Sequence, residues 1–134
     1  MAFTEITVQD AYQLLADEPA AVLVDVRTPQ EWLLVGVPVL DTIGKHVRMA
    51  MWTEFGTGTP NPQFLEQATG GLDPSTPLLF LCRSGVRSQG AAAAASAAGF
   101  TTTYNVSEGF EGDLNANGHR ATGWKHAGLP WRQG

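Results

Sequence analysis

Apolar residues fall in short blocks separated by polar turns, and the spacing inside the blocks switches between helical and strand-like. Val8, Ala11, Tyr12, Leu14 and Leu15 recur at helical spacing behind Thr7, whose hydroxyl suits an N-cap, and Pro19 closes that helix. Ala21-Val22-Leu23-Val24 then runs without polar alternation as far as Asp25, the pattern of a parallel strand covered on both faces. Thr28-Pro29-Gln30-Glu31 reads as a capping box with proline at the first helical position, opening a short helix through Leu34. The stretch from His46 to Trp52 alternates enough for another strand, and Asn61 to Gln67 is predicted as a capped helix behind a glycine-rich loop. Gly70 to Pro74 is a turn leading into the apolar run Leu78 to Leu81. An alanine-rich helix follows, stopped by Gly99, and Thr101 to Val106 is β-branched enough for the next strand. Strands alternating with helices predict an α/β fold with a parallel sheet flanked by helices on both faces, ligands lying beyond the carboxyl ends of its strands.

One such end carries chemistry. The apolar run delivers Cys82, the only cysteine, into the short basic loop Arg83-Ser84-Gly85-Val86-Arg87-Ser88 at the start of the alanine-rich helix. Lone cysteines usually pack as small hydrophobes, but guanidinium groups are almost never buried unpaired, so a core role fits poorly with Arg83 and Arg87 so close. Helix N-terminal amides and neighbouring arginines favour the thiolate, the nucleophilic form. No Asp or Glu occurs from Pro74 through Ser107, where Arg83 and Arg87 are the only formal charges. The alanine run itself suits close packing of a helix on a sheet behind the loop.

The chain has 134 residues, 43% of them hydrophobic, enough to bury one core, and residues 1–134 read as a single domain. A net charge of −5 argues against nucleic acid as a partner, since phosphate-backbone binding needs a broad basic face. The N-terminus lacks the basic and apolar regions of a secretory signal, and no segment approaches 18 continuous apolar residues, so the expectation is a cytoplasmic protein with no membrane contact. A single cysteine forms no internal disulfide, and a reactive thiol suits a reducing compartment. His46, His119 and His126 show no metal-ligand spacing, and Gly56-Thr57-Gly58 lacks the rest of a dinucleotide fingerprint, so neither metal nor cofactor is expected.

The Cys82 loop, together with Asp25-Val26-Arg27 after the earlier apolar strand, resembles the single-domain rhodaneses, sulfurtransferases that carry sulfur as a cysteine persulfide. The resemblance covers nearly the whole chain and implies a rhodanese-like sheet. It departs after Trp32, where many members carry Gly-His-Ile-Pro-Gly-Ala and this chain has Val35-Gly36-Val37-Pro38-Val39-Leu40. It implies a Cys82 nucleophile and a persulfide held by the amides of residues 83–88, with hydroxyl donors from Ser84 and Ser88. Gly85 permits the tight curvature, Val86 belongs to the same loop, and Arg83 and Arg87 are candidates to attract an anionic donor such as thiosulfate. Asp25 and Arg27 are expected to brace the loop rather than react. The partners implied are a small sulfur donor and a cyanide, thiol or protein acceptor.

Two other readings stay open. A cysteine phosphatase loop places Arg after five residues, where this chain has Ser88, and Arg87 arrives one residue early. A sulfur-relay or regulatory module would take persulfide from a dedicated protein and turn over small donors poorly. The tail from Ser107 to Gly134 is poorly legible, although Trp124 and Trp131 are expected to pack back onto the domain.

Overall fold

A computed structural model describes residues 3–133. Its central sheet has five strands: β1 (Thr4–Ile6), β2 (Val22–Asp25), β4 (Arg48–Met49), β5 (Leu78–Leu81) and β6 (Thr103–Val106). They lie in the order β1-β6-β5-β2-β4 and every pairing is parallel. A small antiparallel pair, β3 (Val37–Pro38) and β7 (Trp131–Arg132), ties the tail to the middle of the chain.

Helices cover both faces. In β5, Leu78, Phe80 and then Cys82 face one hydrophobic cluster, whereas Leu79 and Leu81 face the other, the two-residue alternation of a doubly covered strand. The first cluster is closed by α3 (Phe64–Thr69) through Phe64 and Ala68, and by α4 (Arg87–Ala97) through Ala91, Ala92 and Ala95. The second is closed by α1 (Val8–Asp17) through Val8, Ala11 and Leu15, and by α5 (Gly123–His126) through Trp124. Buried alanines let α4 approach β5 and β6 closely.

Local signals place several boundaries. Thr7 Oγ1 accepts the Asp10 N–H and opens α1. Thr28 and Glu31 complete a reciprocal capping box at α2 (Pro29–Leu34). Gly99 takes φ +107° just beyond α4, as a stop glycine should. Two expectations need correction. The strand predicted over His46 to Trp52 shrinks to Arg48–Met49, because β4 is an edge strand with β2 as its one neighbour. The helix predicted from Asn61 begins at Phe64; Asn61 Oδ1 instead accepts the Gln63 N–H, fixing a turn ahead of the helix.

The tail is structural. Trp124 is fully buried, edge-on to Tyr12 with ring centroids 5.7 Å apart, and its indole N–H donates to the Pro130 carbonyl at 2.7 Å. Trp131 meets the Phe110 ring edge-on at 6.1 Å while staying partly exposed.

Candidate active site

Parallel pairing puts the carboxyl ends of β2, β5 and β6 side by side, with Asp25 in register with Leu81 and Asn105 with Phe80. The chain leaves β5 at Cys82, which is 1% exposed, and enters α4 at Arg87. Between them the loop folds around the sulfur. The Gly85 N–H donates to Cys82 Sγ at 3.1 Å, and the Ser88 hydroxyl lies 3.2 Å from it. Gly85 has φ +98°, and a Cβ there would stand 2.0 Å from the Ser107 carbonyl oxygen, so both conformation and space demand glycine.

The tail braces this loop from behind. The Cys82 carbonyl accepts from Phe110 N–H at 2.8 Å, and the Arg83 carbonyl accepts from Glu111 and Gly112 at 2.9 and 3.1 Å. Gly109 makes the approach possible, since a Cβ there would lie 2.5 Å from the Arg83 carbonyl oxygen. Among the described residues, the amides of Arg83, Ser84 and Val86 meet no protein acceptor, which leaves them available to an anion. Ser84 is half-buried beside them, and Val86 is exposed at the rim.

Ser88 connects the sulfur to a polar chain. Its hydroxyl also contacts Asn105 Oδ1, and Asn105 Nδ2 donates to the Gly85 carbonyl at 3.0 Å and to Glu5 Oε1 at 2.8 Å. Those two acceptors fix the amide orientation. The single Ser88 proton therefore serves either Asn105 Oδ1 or the sulfur, and a thiolate draws it toward Sγ.

Both arginines of the loop are met by carboxylates. Arg87 forms a two-point pair with Glu31, Nη1 to Oε1 at 2.7 Å and Nη2 to Oε2 at 2.8 Å. Arg83 Nε donates to Glu111 Oε1 at 2.8 Å. Burial pushes the Glu31 carboxyl up, but the bonds and charge of Arg87 and the Thr28 contacts together outweigh it and hold the group below its ordinary value. The Arg87 guanidinium is shifted up, first by its hydrogen bond to Glu31, against the opposing effect of burial, and further by the charges of Glu31, Cys82 and Asp25.

Asp25 and Arg27 are fully buried at the end of β2. Arg27 Nε and Nη2 donate to the Asp25 carboxylate at 3.0 and 2.7 Å, and Nη2 also donates to the Gly36 carbonyl at 2.8 Å. The guanidinium face stacks 4.3 Å above the centroid of Phe110. This pair therefore touches β2, the turn after α2 and the tail residue that holds the Cys82 carbonyl.

A cavity of about 310 Å³ opens beside the loop, walled by Thr28, Glu31, Glu54, Phe55, Arg83 and Arg87 among others. A larger one of about 400 Å³ lies between α2 and the β3–β4 region, and none of its walls comes from the Cys82 loop. The smaller cavity shares two walls, Arg83 and Arg87, with the Cys82 loop and the larger one shares none, so the smaller is the candidate approach. Glu31 was legible as a cap but not as the partner of Arg87. The sequence holds no signal for Glu111, whereas Asn105, a strand-disfavoured residue amid β-branched neighbours, was a visible anomaly.

With this geometry, the chain sits among the rhodanese-like proteins. It belongs to the STR4 middle-domain family, whose model matches residues 3–134. The crystal structure of Rv0390 from M. tuberculosis superposes with a TM-score of 0.89 at 51% identity, covering 98% of each chain. The uncharacterized protein RP600 of Rickettsia prowazekii is 38% identical over 91% of each chain. Thiosulfate sulfurtransferase GlpE of Tolumonas auensis is 32% identical over 90% of this chain and 96% of its own. Among the described residues no helix is long and apolar enough to cross a membrane.

Proposed function

We propose that the chain is a sulfurtransferase that moves a sulfane sulfur from a donor such as thiosulfate to cyanide or a thiol through a Cys82 persulfide. The observation that carries this reading is the setting of Cys82 Sγ, beneath a loop whose Gly85 amide and Ser88 hydroxyl both reach it. Similarity to a thiosulfate sulfurtransferase supports it.

The Cys82 thiolate attacks the outer sulfur of thiosulfate, the sulfur–sulfur bond breaks, and its electron pair leaves with sulfite. The new persulfide carries its charge on the outer sulfur. The amides of Arg83, Ser84 and Val86, with the positive end of α4, then stabilise that anion without having to reorganise. Cyanide or a thiolate next attacks the outer sulfur, and the pair returns to Cys82. No general base is needed once the thiolate has formed. Asp25 and Arg27 hold the loop in place, and a cytosolic thiol, small or protein-borne, is the expected acceptor.

The test is intact-mass measurement after incubation with thiosulfate or glutathione persulfide. Addition of one sulfur atom, removed again by cyanide, is the expected result; a protein that gains no sulfur from either donor sinks the reading.

A further inference from the structure

Sulfur loading past the smaller cavity brings the rest of the donor to a wall where both guanidinium groups are already ion-paired. Glu31 and Glu54 share that wall with Arg83 and Arg87; Arg87 is paired with Glu31, and Arg83 is paired through Nε with Glu111, which lies off the wall. Glu31 occupies both terminal nitrogens of Arg87, while its Oε1 also accepts from the Thr28 amide and hydroxyl at 3.2 and 3.1 Å. Glu31 is thus anchored on α2 by its own capping box and is not free to follow Arg87 toward a ligand. With the loop amides given to the transferred sulfur, a sulfonate at the rim meets Arg87 with both terminal nitrogens taken by Glu31, and only the terminal nitrogens of Arg83 stay open.

Resting on the sulfurtransferase reading, we propose that Glu31 is a specificity-determining residue: by neutralising Arg87 it disfavours dianionic thiosulfate and directs Cys82 to hydropersulfides carried on a thiol. In that reaction the thiolate attacks the outer sulfur of R–S–SH, the S–S bond breaks, and the pair leaves as RS⁻. The proton then passes from the new Cys82–S–SH to RS⁻, giving the persulfide anion and RSH with no external oxidant or reductant. Reacting in its protonated form, the donor adds no charge, so site and donor together carry a single negative charge from the reacting atoms on this route. With thiosulfate they carry three, beside a rim whose two guanidinium groups are already paired with carboxylates. Phe55, 62% exposed at the cavity, and Val86, 67% exposed at the loop, offer apolar contact to the organic part of a thiol carrier and nothing to a sulfonate.

Donor selectivity tests this. Rates of Cys82 loading, followed by intact mass, are compared for thiosulfate and glutathione persulfide in the wild type, Glu31→Gln and Glu111→Gln. The wild type should load faster from glutathione persulfide. Glu31→Gln, by freeing Arg87, should raise the thiosulfate-to-persulfide ratio of kcat/KM by roughly tenfold, the factor one charge-assisted contact is worth. That gain should shrink with added salt. Glu111→Gln frees Arg83 without touching the α2 cap and should move the ratio the same way by less; if Glu31→Gln folds poorly, Glu31→Asp, whose shorter side chain retains the charge but loosens the pair with Arg87, should raise the ratio and decides the matter. A wild type that prefers thiosulfate, or variants that leave the ratio unmoved, overturn the role of Glu31 while leaving sulfur transfer intact. Loading from neither donor overturns sulfur transfer itself.

Discussion

Ser88 stands one helical position inside α4 with its hydroxyl 3.2 Å from the Cys82 sulfur, while the same oxygen contacts Asn105 on β6. One side chain thus links the Cys82 sulfur to a polar chain that ends at Glu5. Removing the hydroxyl should slow both alkylation by iodoacetamide at neutral pH and persulfide loading. For Ser88→Ala a drop of about tenfold is expected, the loss of one hydrogen bond to a charged group. Stopped-flow alkylation checks it, and an unchanged rate would show that the contact does not serve the thiolate.

Cys82→Ser should fold and carry no sulfur. Oxygen fits the volume and keeps Gly85 and Ser88 as hydrogen-bond partners, but it lacks the soft, ionisable sulfur that attacks a sulfane donor. Thiosulfate:cyanide turnover by a folded variant would rule out the mechanism.

Gly85→Ala should lose loading and stability together. The substitution puts a Cβ 2.0 Å from the Ser107 carbonyl at φ +98°, so the loop must move, at a cost of about 1–3 kcal/mol for strain alone. Urea denaturation and loading kinetics measured on the same preparation provide the check.

Arg27→Met strands the buried Asp25 carboxylate and releases the Gly36 carbonyl. Breaking such a pair from one side costs roughly 3–5 kcal/mol, a large part of the about 5–15 kcal/mol that holds a domain folded. The denaturation midpoint should fall sharply, and a small change would mean that water enters to replace the guanidinium.

Acid should remove the contribution of Glu31. Its carboxyl titrates below its ordinary value when folded, so the Glu31–Arg87 pair stabilises the protein above that ordinary range and loses its effect as pH falls through the folded value. Wild type should therefore exceed Glu31→Gln in stability at pH near 7, and the two curves should converge only once the pH has fallen below the folded value, which lies under the ordinary carboxylate range. Urea midpoints measured across that range test the sign.

Much of this was written in local sequence. Thr7 and the Thr28–Glu31 box set helix starts, because a cap needs only residues three apart. The unbroken runs Val22–Val24 and Leu78–Leu81 foretold strands buried on both faces, and a cysteine followed by a basic, glycine-containing turn marked where chemistry sits. What the sequence did not show were relations across long separations. Glu31 reaches Arg87 over 56 residues, Arg83 reaches Glu111 over 28, and Asn105 reaches Glu5 over 100. Periodicity and propensity report the neighbours of a residue along the chain, and charge pairing depends on which strand ends the sheet sets side by side. The sequence alone therefore determined where the candidate nucleophile lies and which elements carry it. The order of strands decided that its two arginines are already paired and that the tail holds its loop, because only packing brings those carboxylates and amides within hydrogen-bonding distance.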